Sequence, residues 1–384
     1  MFDVLIVGAG PAGLSLAKRL SGHNRKIGLL ENQSLEAIEN PAFDGREIAL
    51  TQHSMSLLTE MGVVPHFQED EYAALNMASV LNGHSKYSLD FTPPATSDAG
   101  LGFMVSNHAI RRGLYEEVKH LADVTIMAGE GLQSIDQHTD HITVNTTKDN
   151  PLNTRLLVAA DSRFSATRRQ MGIGASMTDY GRTMLVCRMS HAQPHRDTAY
   201  EIFDIGQTLA LLPLAGNCSS VVVTLPTPEI DALLALDAAA FTDEMERRLK
   251  YKFGAMELVS ERFAYPLVAV YADHFIGKRF ALIGDAAVGM HPVTAHGFNL
   301  GLLGAETLAN QILNTNDAGT KSALIKYEQQ HKRATLPLYL GTNSIAKLYA
   351  DDRIPARVVR GAGLRVANLL KPIKRKVVNR LMSD

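Results

Sequence analysis

The chain has 384 residues, 46% of them hydrophobic, which is enough to bury a substantial core in two or three domain-sized units. The net charge of −2 is unevenly placed, because residues 353–384 carry nine Lys/Arg and one Asp (+8) and residues 1–352 carry −10. A body of that sign repels nucleic acid, whereas the basic tail attracts an anionic surface.

The cysteine usage and the chain start bear on the compartment. Cys187 and Cys218 form no C-x-x-C pair and no zinc-ligand spacing, so we expect neither a disulfide framework nor a metal site. The first residues lack the charged region and cleavage site of a signal peptide, and no run of about 18 apolar residues occurs. We therefore expect a cytoplasmic protein without a transmembrane helix.

The first half of the chain alternates between helix and strand patterns. Val4–Val7 is an apolar run that ends in glycine, as buried parallel strands do. A helix over 11–20 and a strand at Ile27–Leu30 follow. The later predictions are a loop over 31–50, a helix over 48–61, short strands over 73–91, a helix over 107–121 and a strand at 156–160.

The second half of the chain is mainly β in pattern over residues 175–270, with one helix at about 237–251. Strand candidates are Met184–Met189, Leu209–Leu212 and Val221–Leu225. Phe280–Ile283 is again a buried strand, and a helix is predicted over about 298–313. The β segments interrupt the helix–strand segments twice, which favours two interleaved domains over two in tandem.

A glycine-rich turn follows the first predicted strand and opens the first predicted helix. In this turn Gly8 permits the tight bend, Gly10 lets the backbone approach a pyrophosphate, and Gly13 lets the helix pack against the strand. The helix N-terminus then favours a phosphate. Glu31, 18 residues after Gly13, ends the second strand, where an acid accepts hydrogen bonds from ribose hydroxyls. This predicts a dinucleotide site at Gly8, Gly10, Ala12, Gly13 and Glu31, but the turn alone does not choose between NAD and FAD.

Two later segments favour FAD. The strand at Phe280–Ile283 runs into Gly284-Asp285, and an Asp there can bond a ribityl hydroxyl, which FAD has and NAD lacks. The segment from His291 onward enters a helix whose N-terminal N–H groups and positive potential would stabilise reduced flavin. The predicted contacts are Gly284, Asp285, Pro292, His296, Gly297, Phe298 and Asn299.

These segments resemble the class A flavoprotein monooxygenases, and within them the ubiquinone-biosynthesis hydroxylases (the UbiH, UbiI, UbiF and UbiM group, most like the UbiM type). Phe43–Leu50 and Val105–Leu114 are similar to two further cofactor segments of that family. The resemblance implies an α/β fold with a Rossmann-like FAD-binding domain, like that of p-hydroxybenzoate hydroxylase, interleaved with a β-sheet substrate domain. We expect the FAD domain over 1–72, 100–175 and 271–350, the substrate domain over 73–99 and 176–270, and a basic helical tail over 351–384.

The resemblance also implies roles for single residues. Arg46 would contact the FAD pyrophosphate or the flavin edge. Arg111 and Arg112 diverge by about 100° on a helix, so at most one faces the cofactor, and Arg111 is the expected one. Asp161 matches the family's Asp-Gly motif and would contact FAD. Ser162 replaces the glycine of that motif, which is implicated in NAD(P)H use, so the electron donor is left open.

The expected catalytic residues are His291 and Pro292, which the resemblance places near the flavin face. His291 could transfer protons or could be a structural loop histidine. The remaining candidates have ordinary interpretations: His53 and His108 as non-catalytic histidines, and Met184, Cys187 and Met189 as core residues.

The resemblance implies that an external donor, expected to be NAD(P)H, reduces the flavin, and that one atom of O2 is then transferred to an electron-rich phenol ring. The sequence contains no second glycine-rich fingerprint, so the donor would bind transiently. The expected substrate is a lipid-soluble polyprenylated phenol of ubiquinone synthesis. Its pocket would be dry and apolar, between the flavin and the β segments 73–105 and 175–270.

The basic tail has two interpretations. Apolar residues recur from Val366 at Leu370, Ile373, Val377 and Leu381, with the lysines and arginines largely away from that stripe. The tail could be an amphipathic element on the membrane surface, or it could pack on the body with its lysines solvated. A polyprenylated substrate favours peripheral contact with the inner membrane, and a quinone-synthesis complex is a further candidate partner.

Three other functions compete with hydroxylation. A flavin halogenase is disfavoured, because its tryptophan-bearing motif is impossible in a chain without Trp. A reductase or oxidase of a prenyl lipid would use the same flavin motifs without inserting oxygen. A flavin-binding scaffold in a quinone-synthesis complex would need no turnover, and Ser162 keeps this hypothesis open.

Overall fold

The computed structural model describes residues 1–83, 88–94, 100–292 and 296–350. The predicted basic tail over 351–384 lies outside the described residues. No helix within these ranges combines the length and the apolar composition needed to cross a bilayer.

Within the described ranges the helices and strands follow one another in the order below. Up to residue 170 they are β1 (Phe2–Val7), α1 (Pro11–Leu20), β2 (Ile27–Glu31), α2 (Leu35–Glu39), β3 (Glu47–Leu50), α3 (Gln52–Glu60), β4 (Tyr72–Leu75), β5 (Met77–Asn82), β6 (Ser88–Phe91), β7 (Gly102–Ser106), α4 (Asn107–Val118), β8 (Val124–Ala128), β9 (Leu132–Gln137), β10 (Ile142–Thr146), β11 (Leu152–Ala159) and α5 (Ala166–Gln170). After it they are β12 (Ala175–His191), β13 (Thr198–Asp204), β14 (Gln207–Pro213), β15 (Cys218–Pro226), α6 (Thr227–Leu234), α7 (Ala238–Arg248), β16 (Met256–Leu258), β17 (Phe263–Ala272), β18 (Ile276–Gly277), β19 (Phe280–Leu282), β20 (Val288–Gly289), α8 (Gly297–Leu313) and α9 (Lys321–Ala350).

A sheet in the order β18-β19-β11-β1-β2-β8 carries the predicted cofactor motifs. The strands from β19 to β8 run parallel, and β1 is apolar and buried from Val4 to Val7 because both of its faces are covered. The chain runs from β1 through α1 to β2 on one side of β1, and β11, much later in the sequence, pairs with β1 on the other side. The crevice beside the carboxyl end of β1 is therefore where open α/β sheets bind ligands.

A second, mostly antiparallel sheet runs in the order β20-β17-β12-β15-β14-β13-β5-β6. Its side chains alternate between two faces, as strand geometry requires. One face packs against α6 and α7, and this cluster includes Leu185, Val221 and Leu209 of the sheet and Phe241 and Met245 of α7. The other face is partly exposed and looks toward the segment before β3.

A small sheet in the order β3-β7-β4 lies between the two larger ones. The first sheet draws strands from residues 2–159 and 276–282, and the second draws them from 77–91, 175–272 and 288–289. The interleaving that the sequence predicted is therefore present. The exact division into domains stays a prediction.

The sequence prediction was wrong in two places near residue 50. Ile48–Leu50 belongs to β3, where Ile48 pairs with Val105 of β7, so the predicted helix starts too early. The helix begins at Gln52, because the side chain of Thr51 accepts a hydrogen bond from the N–H of Ser54 and caps it. The predicted loop over 31–50 also misses α2.

The three predicted core residues of β12 have different outcomes. Met189 and Cys187 of β12 are fully buried, as predicted, and burial raises the pKa of the Cys187 thiol to about 12. Met184 lies on the other face of the same strand and is only half-buried. The prediction of a core position for Met184 is wrong, because the sequence does not show which face of the sheet is covered.

Candidate cofactor site and substrate cleft

The glycine turn after β1 can be built only with glycine at two positions. Gly8 has φ +110°, and a Cβ there would lie 2.5 Å from the carbonyl oxygen of Ala160. A Cβ at Gly13 would lie 2.0 Å from the carbonyl oxygen of Gly8. A Cβ at Gly10 would meet nothing within 4 Å. The turn is therefore closed toward β11 and open at Gly10, at the N-terminus of α1, where a phosphate would bind.

Glu31 reaches the same turn from the end of β2. Its two carboxylate oxygens accept hydrogen bonds from the backbone N–H groups of Ala9, at 2.7 Å, and Gln33, at 2.9 Å. The carboxylate thus holds the turn against the next strand. The ribose contact expected of Glu31 would be made from this position and stays a prediction.

Asp161 follows β11 at the same sheet edge. Its Oδ2 accepts hydrogen bonds from the N–H and the hydroxyl of Thr167, at 3.2 and 3.1 Å. Its Oδ1 is buried and has no hydrogen-bond partner among the described residues. Buried oxygens in proteins normally have a partner, so this one fits a donor group on a bound ligand.

Gly284 and Asp285 bring the loop after β19 to the first motif. Gly284 has φ +59°, and a Cβ there would lie 2.9 Å from the Cβ of Ala12 in α1. Asp285 Oδ2 accepts hydrogen bonds from Arg163, at 2.9 Å from Nη2 and 3.2 Å from Nε. The sequence did not predict this role of Arg163, although it lies two residues after Asp161. The ribityl contact of Asp285 remains a prediction.

The start of α8 is tied to the β3–α3 junction. The side-chain amide of Asn299 donates to the carbonyl of Ala49 at 2.8 Å, and its oxygen accepts from the N–H of Thr51 at 3.1 Å. His296 is buried at the N-cap position, and a Cβ at Gly297 would meet nothing within 4 Å. Asn299 therefore positions the helix start, and the open side at Gly297 is where the predicted flavin contact would lie.

Two more residues of that segment were predicted to contact the cofactor. Phe298 packs, partly buried, against the main hydrophobic core. Pro292 is exposed in the last described residues before a gap at 293–295. The described structure does not bring Pro292 into contact with the other predicted residues.

Arg46 is engaged with a residue that sequence reasoning missed. Its guanidinium lies 2.6 Å from Asp44 and over the ring of Tyr265, 5.6 Å from the centroid. Asp44 also accepts a hydrogen bond from Asn107 at 2.8 Å. Burial acts to raise the pKa of Asp44, but the hydrogen bond and charge of Arg46 outweigh it and lower that pKa. Asp44 thus fixes Arg46 close to the cofactor edge of the sheet.

The adjacent arginines of α4 have different surroundings, as the helix geometry predicted. Arg112 donates to both carboxylate oxygens of Glu71, at 2.8 and 2.5 Å, and to the carbonyl of His66 at 2.9 Å. The side chain of Arg111 makes no hydrogen bond or ion pair within the described ranges. Burial lowers its pKa, although the charges of Asp44 and Glu31 act to raise it. Arg111 is thus a partly buried cation without a salt-bridge partner, on the cofactor side of α4.

A pair of alanine variants separates these two arginines. We expect Arg111→Ala to lower the affinity for FAD about tenfold while leaving thermal unfolding of the apoprotein unchanged, since one charge-assisted hydrogen bond to an anion is lost. Arg112→Ala should instead destabilise the apoprotein and spare FAD affinity, because it breaks the Glu71 link. FAD titration and thermal unfolding of both variants measure this, and equal FAD affinity in Arg111→Ala and the wild type would contradict the assignment.

His291 contacts an aromatic ring of the large sheet. Its ring and that of Tyr180 form an edge-on pair with centroids 4.7 Å apart, and the Tyr180 hydroxyl donates to Asn343 of α9 at 2.6 Å. Burial lowers the pKa of His291 to about 4, so the imidazole is neutral at pH 7. The catalytic role of His291 remains a prediction, and only a neutral imidazole is available for it.

The other two histidines lie away from this centre. His53 lies 3.0 Å from Glu306. His108 lies on α4, with its ring edge-on to Phe43. Neither histidine contacts the residues of the predicted cofactor site that surround Asp285. This agrees with their ordinary interpretation from the sequence.

A buried ion pair joins the small sheet to the large one. Glu47 of β3 has a side chain only 1% exposed, and its Oε1 lies 2.8 Å from Nε and 2.7 Å from Nη2 of Arg188 in β12. Burial raises the pKa of Glu47 to about 7, although Arg188 acts to lower it. The guanidinium also lies 4.6 Å from the ring centroid of Phe43. Sequence reasoning missed this pair, because 141 residues separate its members and neither lies in a motif.

The face of the large sheet that carries Arg188 is turned toward the segment before β3, and we take it as the candidate substrate cleft. Arg188 reaches Glu47, and the hydroxyl of Tyr265 donates to the carbonyl of Asp44 at 2.6 Å, so this face is turned toward the segment that holds Arg46. We call its central cross-strand row the cleft row. The residues of the cleft row, in strand order, are Val80, Glu201, Ala210, Val222, Val186 and Phe263.

These features together fit a flavin dinucleotide. The turn is open at Gly10, and among the described residues the Oδ1 of Asp161 has no hydrogen-bond partner and the Arg111 guanidinium has no salt-bridge partner. All three lie at the carboxyl edge of the parallel sheet or on α4 beside it. The cleft row lies on the sheet that faces this edge, so a substrate held there would adjoin the cofactor.

The comparisons with known proteins agree with this geometry. The family described as FAD binding domain matches residues 1–336. The chain is 44% identical to the ubiquinone hydroxylase UbiM of Neisseria meningitidis, over 99% of this chain and 84% of the relative. It is 30% identical to the ubiquinone hydroxylase UbiL of Rhodospirillum rubrum, over 99% of this chain and 89% of the relative.

Solved structures with low sequence identity share the fold. PqsL from Pseudomonas aeruginosa, described as a probable FAD-dependent monooxygenase, superposes with a TM-score of 0.80 at 21% identity, over 95% of this chain and 99% of its own. The p-nitrophenol 4-monooxygenase PnpA from Pseudomonas putida superposes with a TM-score of 0.77 at 18% identity, over 98% and 96% of the two chains. The fold class predicted from the sequence is confirmed.

Proposed function

The chain belongs to the FAD-binding-domain family of the class A flavoprotein monooxygenases, and on that basis we propose that it hydroxylates the aromatic ring of a polyprenylated phenol in ubiquinone biosynthesis. The observation that carries the proposal is the likeness to the two bacterial ubiquinone hydroxylases along almost the whole chain. The cofactor edge and the largely apolar cleft row supply the physical basis for it.

In this proposal FAD, when bound and reduced, would supply the chemistry that inserts one oxygen atom of O2 into an electron-rich ring. The chain supplies binding and orientation. The turn at Gly10 and the N-terminus of α1 bind the pyrophosphate, Glu31 bonds the ribose, and Asp161 and Asp285 bond polar groups farther along the cofactor. The N-terminus of α8 at Gly297 offers positive potential to a negatively charged flavin ring.

The substrate face contributes mainly by excluding water. Ala210, Val222 and Val186 present no hydrogen-bonding groups to the cleft from their side chains, so an aromatic ring would lie against a dry wall. The phenol is lipid-soluble, which suits such a surface. We propose NAD(P)H as the electron donor, bound transiently.

The genetic test of the proposed function is quinone-intermediate profiling in a strain that lacks this gene. We expect a phenol short of one ring hydroxyl to accumulate, and expression of the chain to restore the hydroxylated product. A variant with Gly10→Ala should fail to restore it. An unchanged intermediate profile in the deletion strain would contradict the proposal. If the compound that accumulates is an unreduced prenyl lipid, and no phenol short of a hydroxyl accumulates, the result would favour a prenyl-lipid reductase.

We also propose that the protein contacts the inner membrane surface peripherally. Leu336 and Leu340 of α9 are 42% and 56% exposed, and a spacing of four residues puts them on one face of the helix. The nine basic residues beyond residue 352 follow this helix in the sequence. Apolar side chains beside a basic segment suit the interface of an anionic bilayer, where each Lys or Arg contributes about 1 kcal/mol.

Vesicle binding tests this proposal. We expect removal of residues 353–384 to weaken binding to vesicles that contain phosphatidylglycerol by at least about tenfold, since several basic groups of about 1 kcal/mol each are lost. Binding to phosphatidylcholine vesicles should change little. Equal binding of the full and shortened chains to the anionic vesicles would show that the tail makes no membrane contact.

A further inference from the structure

One carboxyl group interrupts the apolar cleft row. Glu201 lies at the centre of β13, between Val80 of β5 and Ala210 of β14, and the next two members of the row are Val222 and Val186. Cross-strand neighbours share a face of the sheet, so the carboxyl lies among aliphatic side chains. A charged group in such a row is unusual, because its burial costs free energy unless it is paired.

Within the described ranges the carboxyl of Glu201 has no hydrogen-bond or ion-pair partner. The side chain is still accessible, because the residue is half-buried and neither carboxyl oxygen is among the fully buried atoms without a partner. Burial, with no contribution from a neighbouring charge, raises the pKa of the carboxyl to about 8. Because the side chain keeps accessible surface, a ligand lying on this face of the sheet can reach the carboxyl.

The direction of that space follows from neighbouring residues on the same face. On the same face, but three and four strands away from β13, Arg188 of β12 and Tyr265 of β17 contact Glu47 and Asp44, on the segment that carries Arg46. The opposite face, with Tyr200 and Ile202 of the same strand, packs against the cluster under α6 and α7. Glu201 therefore lies on the face of the large sheet that is turned toward the cofactor edge, opposite to the face covered by α6 and α7.

We propose that Glu201 binds the ring hydroxyl of the phenolic substrate and thereby orients the ring in the cleft. This inference rests on the proposed function, because it assigns a residue to the substrate of that reaction. A phenol has an apolar ring that can pack against aliphatic side chains and one hydroxyl that donates a strong hydrogen bond. Glu201 is the one carboxyl in the cleft row. The phenol O–H donates to a carboxyl oxygen, and no bond to carbon is made or broken in this contact.

The contact has a consequence for recognition. A methyl ether of the same phenol has the same ring but no O–H to donate, so it would leave the carboxyl unpaired in the cleft. Sites that are built around one hydrogen bond reject ligands that cannot make it. We expect the FAD-loaded protein to bind the phenol at least about tenfold more tightly than its ether, from a hydrogen bond to a polar group that is otherwise unsatisfied.

The experiment measures dissociation constants of a short-chain prenylated phenol and its methyl ether for FAD-loaded protein, from the change in flavin absorbance. In Glu201→Leu the preference for the phenol should disappear, mainly through weaker phenol binding, and in Glu201→Gln part of it should remain. Glu257→Leu, the same change at an exposed position of β16, is the matched control and should keep the wild-type preference.

Thermal unfolding supplies a second measurement. Since Glu201→Leu removes an unpaired buried carboxyl, we expect its Tm to equal or exceed that of the wild type. Two results would overturn the assignment of Glu201 but not the proposed function. One is a preference for the phenol that survives in Glu201→Leu, and the other is a lower Tm of this variant with both ligands bound equally more weakly. If the wild type binds neither ligand, the proposed function fails together with it.

Discussion

A Gly10→Ala variant is expected to fold like the wild type and to lose most of its affinity for FAD. Gly10 has φ −74° and ψ 179°, an extended backbone that alanine adopts without strain, and its Cβ would meet no atom within 4 Å. The methyl group would instead occupy the open side of the turn, where the pyrophosphate must approach the backbone. We expect a loss of affinity on the order of 100-fold.

FAD titration of the apoprotein, followed by thermal unfolding with and without FAD, measures this effect. Gly13→Ala is the contrasting variant, because its Cβ would lie 2.0 Å from the carbonyl oxygen of Gly8 and should prevent folding. The two glycines therefore separate cofactor binding from helix packing. Wild-type FAD affinity in a folded Gly10→Ala variant would place the cofactor elsewhere.

An Arg188→Leu variant is expected to have the largest effect on stability. It would leave the carboxylate of Glu47, 1% exposed, without its partner at the junction of two sheets. Removing one member of a buried ion pair costs about 3–5 kcal/mol, and the lower value applies here because the guanidinium is partly exposed. Replacing both members, Glu47→Leu with Arg188→Leu, should recover most of that loss, since no unpaired charge remains.

The cost of Arg188→Leu should depend on pH. Burial raises the pKa of Glu47. Protonation of Glu47 therefore contributes fully to the free energy of unfolding below the ordinary pKa of 4.5, and this contribution declines as the pH rises through about 7. Without Arg188 that pKa rises further, and the decline continues to higher pH. Denaturant unfolding at pH 6 and pH 9 should therefore show a larger loss at pH 9, whereas equal losses would argue against a buried charge at Glu47.

The cofactor edge could be predicted from the sequence because its parts are local. Gly8–Gly13, Asp161 and Gly284–Asp285 each follow a recognisable buried strand, and parallel strands bring their carboxyl ends to one edge. Local geometry also showed that at most one of Arg111 and Arg112 faces the cofactor, because adjacent helical residues diverge, whereas the choice of Arg111 came from the family resemblance. The glycine turn and Gly284–Asp285 needed only a short segment and one geometric rule, whereas Asp161 and Arg111 also needed the family resemblance.

The cleft could not be predicted, because it depends on register between distant strands. Glu201 was not singled out, since only the pairing of β13 with β5 and β14 shows that it shares a face with Val80 and Ala210. A shift of one residue would turn it to the opposite face. Met184 was misassigned to the core for the same reason. The ion pair of Glu47 and Arg188 likewise needs the approach of two separate sheets.

A turnover experiment in isotopically labelled oxygen gas tests ring hydroxylation most directly. The FAD-loaded protein, a reduced nicotinamide donor and a prenylated phenol are incubated together, and the ring product is analysed by mass spectrometry. We expect one labelled oxygen atom in the ring for each donor molecule consumed in coupled turnover. The hydroxylase function would be contradicted if the donor is consumed and hydrogen peroxide forms while the phenol is recovered without label.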